Sequence, residues 1–185
     1  HSLLNAWNLS GNRTGGPTSG NSIVSANLRT IFYHQHLFLK AKIANFGGWD
    51  MPIHYGSQIA EHLHTRLSCS VFDVSHMAIV DLTGSGQKAF LQHTLANNID
   101  KLSKDGQALY SCMLNHGGGI IDDLIVYRMG DNYRLVINAA NAHTDLEWLD
   151  EQANNFNDLK IIPRRADLSS AQNPLVILAV QGPHS

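Results

Sequence analysis

The chain has 185 residues, 43% hydrophobic and 15% charged, with 13 basic against 15 acidic side chains and a formal net charge of −2. The apolar fraction is too high for a disordered chain, and the charge balance lacks the basic excess of a nucleic-acid binder. No apolar run approaches the roughly 20 residues of a membrane-spanning helix, and two cysteines, Cys69 and Cys112, are too few for a disulfide framework, which points to a reducing compartment.

In chain order, residues 1 to 29 are rich in Gly, Ser, Asn and Thr without a sustained apolar period, and read as a disordered leader or tag-like segment. Their acidic-poor composition also resembles an organelle transit peptide, although Gly15-Gly16-Pro17 works against a targeting helix. Residues 30–185 read as one mixed domain. Gly47 to Pro52 makes a turn carrying two side chains of buried type, Trp49 and Met51. Ser57 caps a helix whose Ile59, Leu63 and Leu67 predict an apolar stripe against a core. Val71 to Leu82 is β-branched, and Thr83-Gly84-Ser85-Gly86 turns into a helix with Phe90 and Leu91 inward. Ala108 to Leu114 and Ile120 to Met129 predict strands joined by the turn Asn115 to Gly119; the second forms a hairpin with Tyr133 to Asn138. Thr144-x-x-Glu147 has the form of a capping box, opening a helix with Leu146, Leu149 and Ala153 inward. Leu175 to Val180 is apolar on both faces and predicts a central buried strand. Hairpins separated by helices imply an α+β fold with antiparallel sheets and packed helices.

Histidine is abundant, at 11 residues, and His62, His64, Cys69 and His76 lie close in sequence. His62 and His64 are two apart on a helix and point to different faces, whereas a zinc pair on a helix needs i and i+4, so no metal site is expected. Neither cysteine sits in a recognisable setting for a nucleophile. The glycines at 117 to 119 lie between strands, which suits a hairpin turn rather than a phosphate cradle before a helix. Asp122 and Asp123 are adjacent on a strand and therefore face opposite sides. A carboxylate buried among Ile120, Ile121, Leu124, Ile125 and Val126 must either pair with a turn or serve a ligand, and spacing leaves both open. The strand-closing residues Asn98, Asn115 and Asn138 are further polar candidates, and Met51, Met77 and Met113 could fill a core or line a flat slot.

Six segments taken together resemble the aminomethyltransferase, or T-protein, family of the glycine cleavage system. They are Phe46 to Pro52, Tyr55 to Ile59, Val71 to Met77, Ala108 to Ser111 with Leu114-Asn115, Gly118 to Tyr127, and Leu178 to Pro183, all in the family's order. The resemblance covers Thr30 to Ser185. It implies a partial folate-binding domain from a chain about twice as long, whose C-terminal β-barrel domain is absent here. The implied reaction takes the aminomethyl carbon from the lipoyl arm of the H-protein to tetrahydrofolate, releases ammonia and gives 5,10-methylenetetrahydrofolate. Tetrahydrofolate would be a substrate, with no metal. By position, the resemblance assigns the pocket to Met77, Tyr110, Leu114, Asn115 and Val126, and the amide of Asn115 suits a pterin edge that offers both donors and acceptors. Asp122 and Asp123 fall in the family's DDLIVY strand and read as scaffold. A bacterial-type member implies the cytoplasm; a transit peptide in residues 1 to 29 would imply the mitochondrial matrix.

Two departures qualify this expectation. The family carries an aspartate thought to assist transfer, and the aligned stretch Ala96-Asn97-Asn98-Ile99 puts Asn98 there. An amide is nearly isosteric but cannot accept a proton at neutral pH, a loss worth about 10²–10⁴-fold if the group acts in acid–base catalysis. The family's glutamate and arginines that hold folate come from its later half. The second reading is therefore a non-catalytic folate-binding or regulatory relative.

Overall fold

The computed structural model describes residues 27–164 and 175–185. In chain order the elements are β1 (Leu28–Arg29), α1 (Tyr33–Phe38), β2 (Lys42–Phe46), β3 (Trp49–His54), α2 (Gln58–Leu67), β4 (Ser70–Asp73) and β5 (Ala78–Thr83). There follow α3 (Gln87–Thr94), a 3₁₀ turn at Ile99–Lys101, β6 (Ala108–Leu114), β7 (Ile120–Met129), β8 (Asn132–Ile137), α4 (Ala142–Ala153), β9 (Lys160–Arg164) and β10 (Leu178–Gln181). The fold is α+β, as expected. Among the described residues, no helix is long and apolar enough to cross a membrane. The chain divides into two compact units, each described in turn.

Unit 1, residues 78–164, is built on an antiparallel sheet in the order β6-β7-β8-β5-β9. Alternation puts Met113, Leu124, Val126, Leu135, Ile137, Val80 and Leu82 on one face, where Phe90 and Leu91 of α3 and Leu146 and Leu149 of α4 complete the core. The other face carries Tyr110, Cys112, Asp123 and Ile125, and an ion-pair group in which Arg134 donates to both oxygens of Asp81 and Arg164 adds a third bond. The turn into α3 forms as expected. Gly84 has φ +104°, and a Cβ there would lie 2.0 Å from the Asp158 carbonyl oxygen, while the Ser85 backbone N–H donates to the Asp158 carboxylate at 2.9 Å. Only glycine admits that approach. The capping box does not form: α4 starts at Ala142 behind Asn141, so Thr144 already lies inside the helix.

Unit 2, residues 27–77 with 175–185 in its described part, holds the sheet β1-β3-β2 and the two-stranded sheet β10-β4. The expected turn narrows to Gly47 and Gly48, both at positive φ, between β2 and β3. Trp49 and Met51 are buried. Of the expected leader, residues 1–26 lie outside the described residues, whereas Leu28 and Arg29 form β1, parallel to Trp49 and Asp50. The β-branched run at Val71 to Leu82 is broken between β4 and β5 because the Asp73 carboxylate accepts the Ser75 N–H at 2.9 Å and turns the chain. Ser57 caps α2 as expected, its hydroxyl accepting the Ala60 N–H at 3.2 Å. The stripe it opens is not buried: Ile59 and Leu67 are each 75% exposed and Leu63 is 52% exposed. The predicted central strand is shorter, and among the described residues it pairs only with β4, leaving Leu178 and Val180 about half exposed at 47% and 50%.

Candidate functional site

In unit 1, the free edge of β6 organises the candidate residues. Leu95 bridges Met113, and the Ala96 N–H donates to the Cys112 carbonyl at 2.9 Å. Asn97 then locks on by two bonds, its backbone N–H to the Ser111 hydroxyl at 3.0 Å and its Nδ2 to the Tyr110 carbonyl at 2.9 Å. Asn98 follows and heads the 3₁₀ turn. Its Oδ1 accepts the Asp100 N–H at 2.9 Å and Gln92 Nε2 at 2.8 Å, so the oxygen at this position acts as a cap. Asp100 itself pairs with Lys88.

Tyr110 is 59% exposed on the sheet face away from the helices. Asp123 stands diagonally across from it on the same face, two residues along β7 from Ile125, the direct partner of Tyr110. Loss of hydration, then the Asp123 charge, push the Tyr110 phenol above its ordinary value. Leu114 is half-buried just after a register shift at the end of β6. The next residue, Asn115, spends its Oδ1 on the turn, accepting the N–H groups of Gly117 and Gly119 at 2.9 Å each. The donor–acceptor amide expected for a pterin edge is thereby reduced to its donor side. Val126 does not share a face with Tyr110. It pairs with Leu109, points to the helices and is wholly buried in the core, so its side chain backs the sheet and does not open onto the Tyr110 face. Met77 belongs to unit 2 and is half-buried at the turn after β4, where its N–H donates to the Val74 carbonyl.

Unit 2 holds a cluster that the sequence reading missed. The Asp73 carboxylate accepts from the Thr30 hydroxyl, from His36 Nε2 at 2.8 Å and from the Ser75 N–H. With that nitrogen protonated, His36 Nδ1 accepts the Tyr55 hydroxyl at 2.8 Å, giving a chain from carboxylate through imidazole to phenol. Burial works against the Asp73 charge, but the bonds from Ser75, Thr30 and His36 outweigh it and hold the carboxyl below its ordinary value. Burial, then the charges of Asp73 and Glu61, push the Tyr55 phenol up, so it stays a protonated donor at neutral pH. Tyr55 and Asp73 line a half-open cavity of about 660 Å³ with Glu61, His64, Cys69 and Phe72. Asp73-x-Ser75 was readable as a turn motif; nothing local links Asp73 to His36, 37 residues earlier. His64 Nε2 is engaged with the Cys69 carbonyl, and among the described residues no group of three or more His, Cys, Asp or Glu could hold a metal ion.

The GCVT N-terminal domain family matches residues 32–185. The chain belongs to this family. Among curated aminomethyltransferases, that of Ralstonia pickettii is 56% identical over 152 residues, covering 81% of this chain and 40% of the relative. That of Pseudomonas syringae pv. tomato is 48% identical over 157 residues, covering 85% and 41%. The crystal structure of glycine cleavage system aminomethyltransferase T from Bartonella henselae superposes with a TM-score of 0.74 at 35% identity, over 84% of this chain and 41% of that one. The chain thus spans about 40% of the length of the aminomethyltransferases it matches.

Proposed function

We propose that this chain supplies the folate-binding part of a glycine-cleavage aminomethyltransferase. In that reaction the methylene carbon leaves the lipoyl sulfur of the H-protein and comes to bridge two nitrogens of tetrahydrofolate. The two N–H protons go to the departing ammonia and to the sulfur, which is left as a thiol. The observation that carries the reading is the family match over residues 32–185. The β6 edge supports it: Asn97 is bonded to the Tyr110 carbonyl and Asn98 follows it in the chain, with Leu114 and the remaining amide donor of Asn115 at the strand's far end, a polar and aromatic rim suited to a flat heterocycle. Val126 acts only as packing behind the sheet.

Asn98 is the proposed position of the transfer-assisting group. Its oxygen is held by Gln92 and Asp100, so the side chain is fixed in place, and as an amide it positions the folate without taking up a proton. That observation favours a second reading, a folate-binding relative with little turnover. Ammonia release from aminomethyl-lipoyl H-protein with tetrahydrofolate, measured for the 185-residue chain and for Asn98→Asp, tests both. Release by the chain itself supports the enzyme. Tetrahydrofolate binding by calorimetry without release, with release appearing in Asn98→Asp, supports the relative. Neither binding nor release in either protein overturns both.

A further inference from the structure

Asp122 lies on the helix-facing side of β7, opposite Met113, and Asp145 lies in the first turn of α4; both are buried. Asp122 Oδ1 accepts two amides, Asn138 Nδ2 at 3.0 Å from the end of β8 and Asn141 Nδ2 at 2.9 Å from the residue before α4. Its Oδ2 and both oxygens of Asp145 are buried and meet no donor among the described residues. Trp148, one turn further along α4, has its Nε1–H equally without an acceptor, so it does not serve the pair. Asn141 ties the two residues together: its side chain donates to Asp122 while its carbonyl accepts the Asp145 N–H at 2.9 Å, and a proton on one of the carboxyls is the donor these oxygens lack. Carboxylate oxygens cannot donate, and two ionised carboxylates in contact repel.

We propose that a single proton shared between Asp122 and Asp145 latches α4 onto β7, and that losing it at alkaline pH loosens this seam. The latch is independent of the folate reading, since it joins three elements of unit 1 on the face away from Tyr110. The charged groups bearing on Asp145 are Asp122 and Asp123, both on β7 and both unfavourable to its ionisation. Burial, then the bond to Asp122 and these charges, push Asp145 up to about 8. Burial also opposes the charge on Asp122, but bonds from Asp145, Asn138 and Asn141 outweigh it and hold that carboxyl low. The proton belongs to the pair.

An unfolded aspartate titrates near 3.9, so between about pH 4 and about pH 8 the folded chain binds one proton that the unfolded chain lacks. Stability from this source is complete at the acid end and is lost as pH rises, by about tenfold in the unfolding constant per pH unit. Urea unfolding of the 185-residue chain and of Asp145→Asn from about pH 5 to about pH 9 tests it. The new amide donates to Asp122 Oδ2 without any titration. The ratio of wild-type to variant unfolding constants should therefore climb by up to tenfold per unit and level off above about pH 8. Asp122→Asn should flatten the profile in the same way. Carbon NMR of the wild-type chain labelled at aspartate reads the proton directly, as one carboxyl signal titrating near pH 8. Completion of every aspartate titration below about pH 6, or an unchanged slope in Asp145→Asn, overturns the latch. So does stability at neutral pH that depends on sodium or potassium at constant ionic strength, which would put a bound cation between the carboxyls.

Discussion

Three buried or half-buried aspartates show how donors decide the charge of a carboxyl. Asp73 receives Thr30, His36 and Ser75, Asp122 receives two asparagine amides, and both are held below the ordinary value; Asp145 receives no amide or hydroxyl among the described residues and is pushed up to about 8. For Asp73 the folded value is depressed, so its contribution is present above an unfolded value near 3.9 and is lost as pH falls through the folded one. Asp73→Asn is accordingly expected to flatten the acid arm of the stability profile. It should also cost about 1–3 kcal/mol at neutral pH, because an amide turned toward Thr30 and His36 leaves buried groups mispaired. Urea midpoints at about pH 3 to about pH 7 check both. Of these groups, the sequence disclosed that Asp122 and Asp123 take opposite sides of a strand, because alternation is a local rule. It could not disclose that Asn141, at the head of the helix carrying Asp145, donates to Asp122, since that bond reaches a strand more than one element away.

At the scale of elements, periodicity identified α2, α3 and the β6–β7–β8 meander, and failed where burial depended on something outside the segment. Residues Ile59, Leu63 and Leu67 have the spacing of a core stripe, yet α2 buries none of its residues. Periodicity fixes which side chains share a face, and what covers that face is a separate matter. Changing Leu63 to Ser should therefore shift stability by no more than about 0.5 kcal/mol, against about 2–5 kcal/mol for truncating Leu149 in the core of unit 1 to Ala. Denaturant midpoints compare the two. The capping box failed for a related reason. Asn141 precedes Thr144 and begins the helix first, and Asn138 and Asn141 are drawn to Asp122, an attraction invisible in the local spacing. Gly84→Ala belongs at this scale as well. Its Cβ would strike the Asp158 backbone at 2.0 Å from a positive-φ position, so a loss of more than about 2 kcal/mol is expected in thermal unfolding, with the β5–α3 turn as the site of damage.

For the molecule as a whole, the family and the α+β class were legible because long ordered motifs survive in sequence, whereas the division into two units was not. Unit 2 takes its strands from both ends of the sequence. Ser75 exchanges two hydrogen bonds with Ile177, 102 residues later, and β4 pairs with β10 over a similarly long separation. The described part of unit 1 is continuous from Ala78 to Arg164, with a core drawn from its own residues. Residues 78–164 expressed alone are expected to unfold cooperatively in urea, and a non-cooperative, gradual transition would count against this. The pairing of β4 with β10 also imposes an order of events during synthesis. On a ribosome adding about 5–20 residues per second, Ser70 to Asp73 emerge seconds before Leu178 to Gln181 exist. The earlier strand must wait, without its partner, while the intervening sheet forms, and a chaperone that holds the nascent chain would have its longest engagement there.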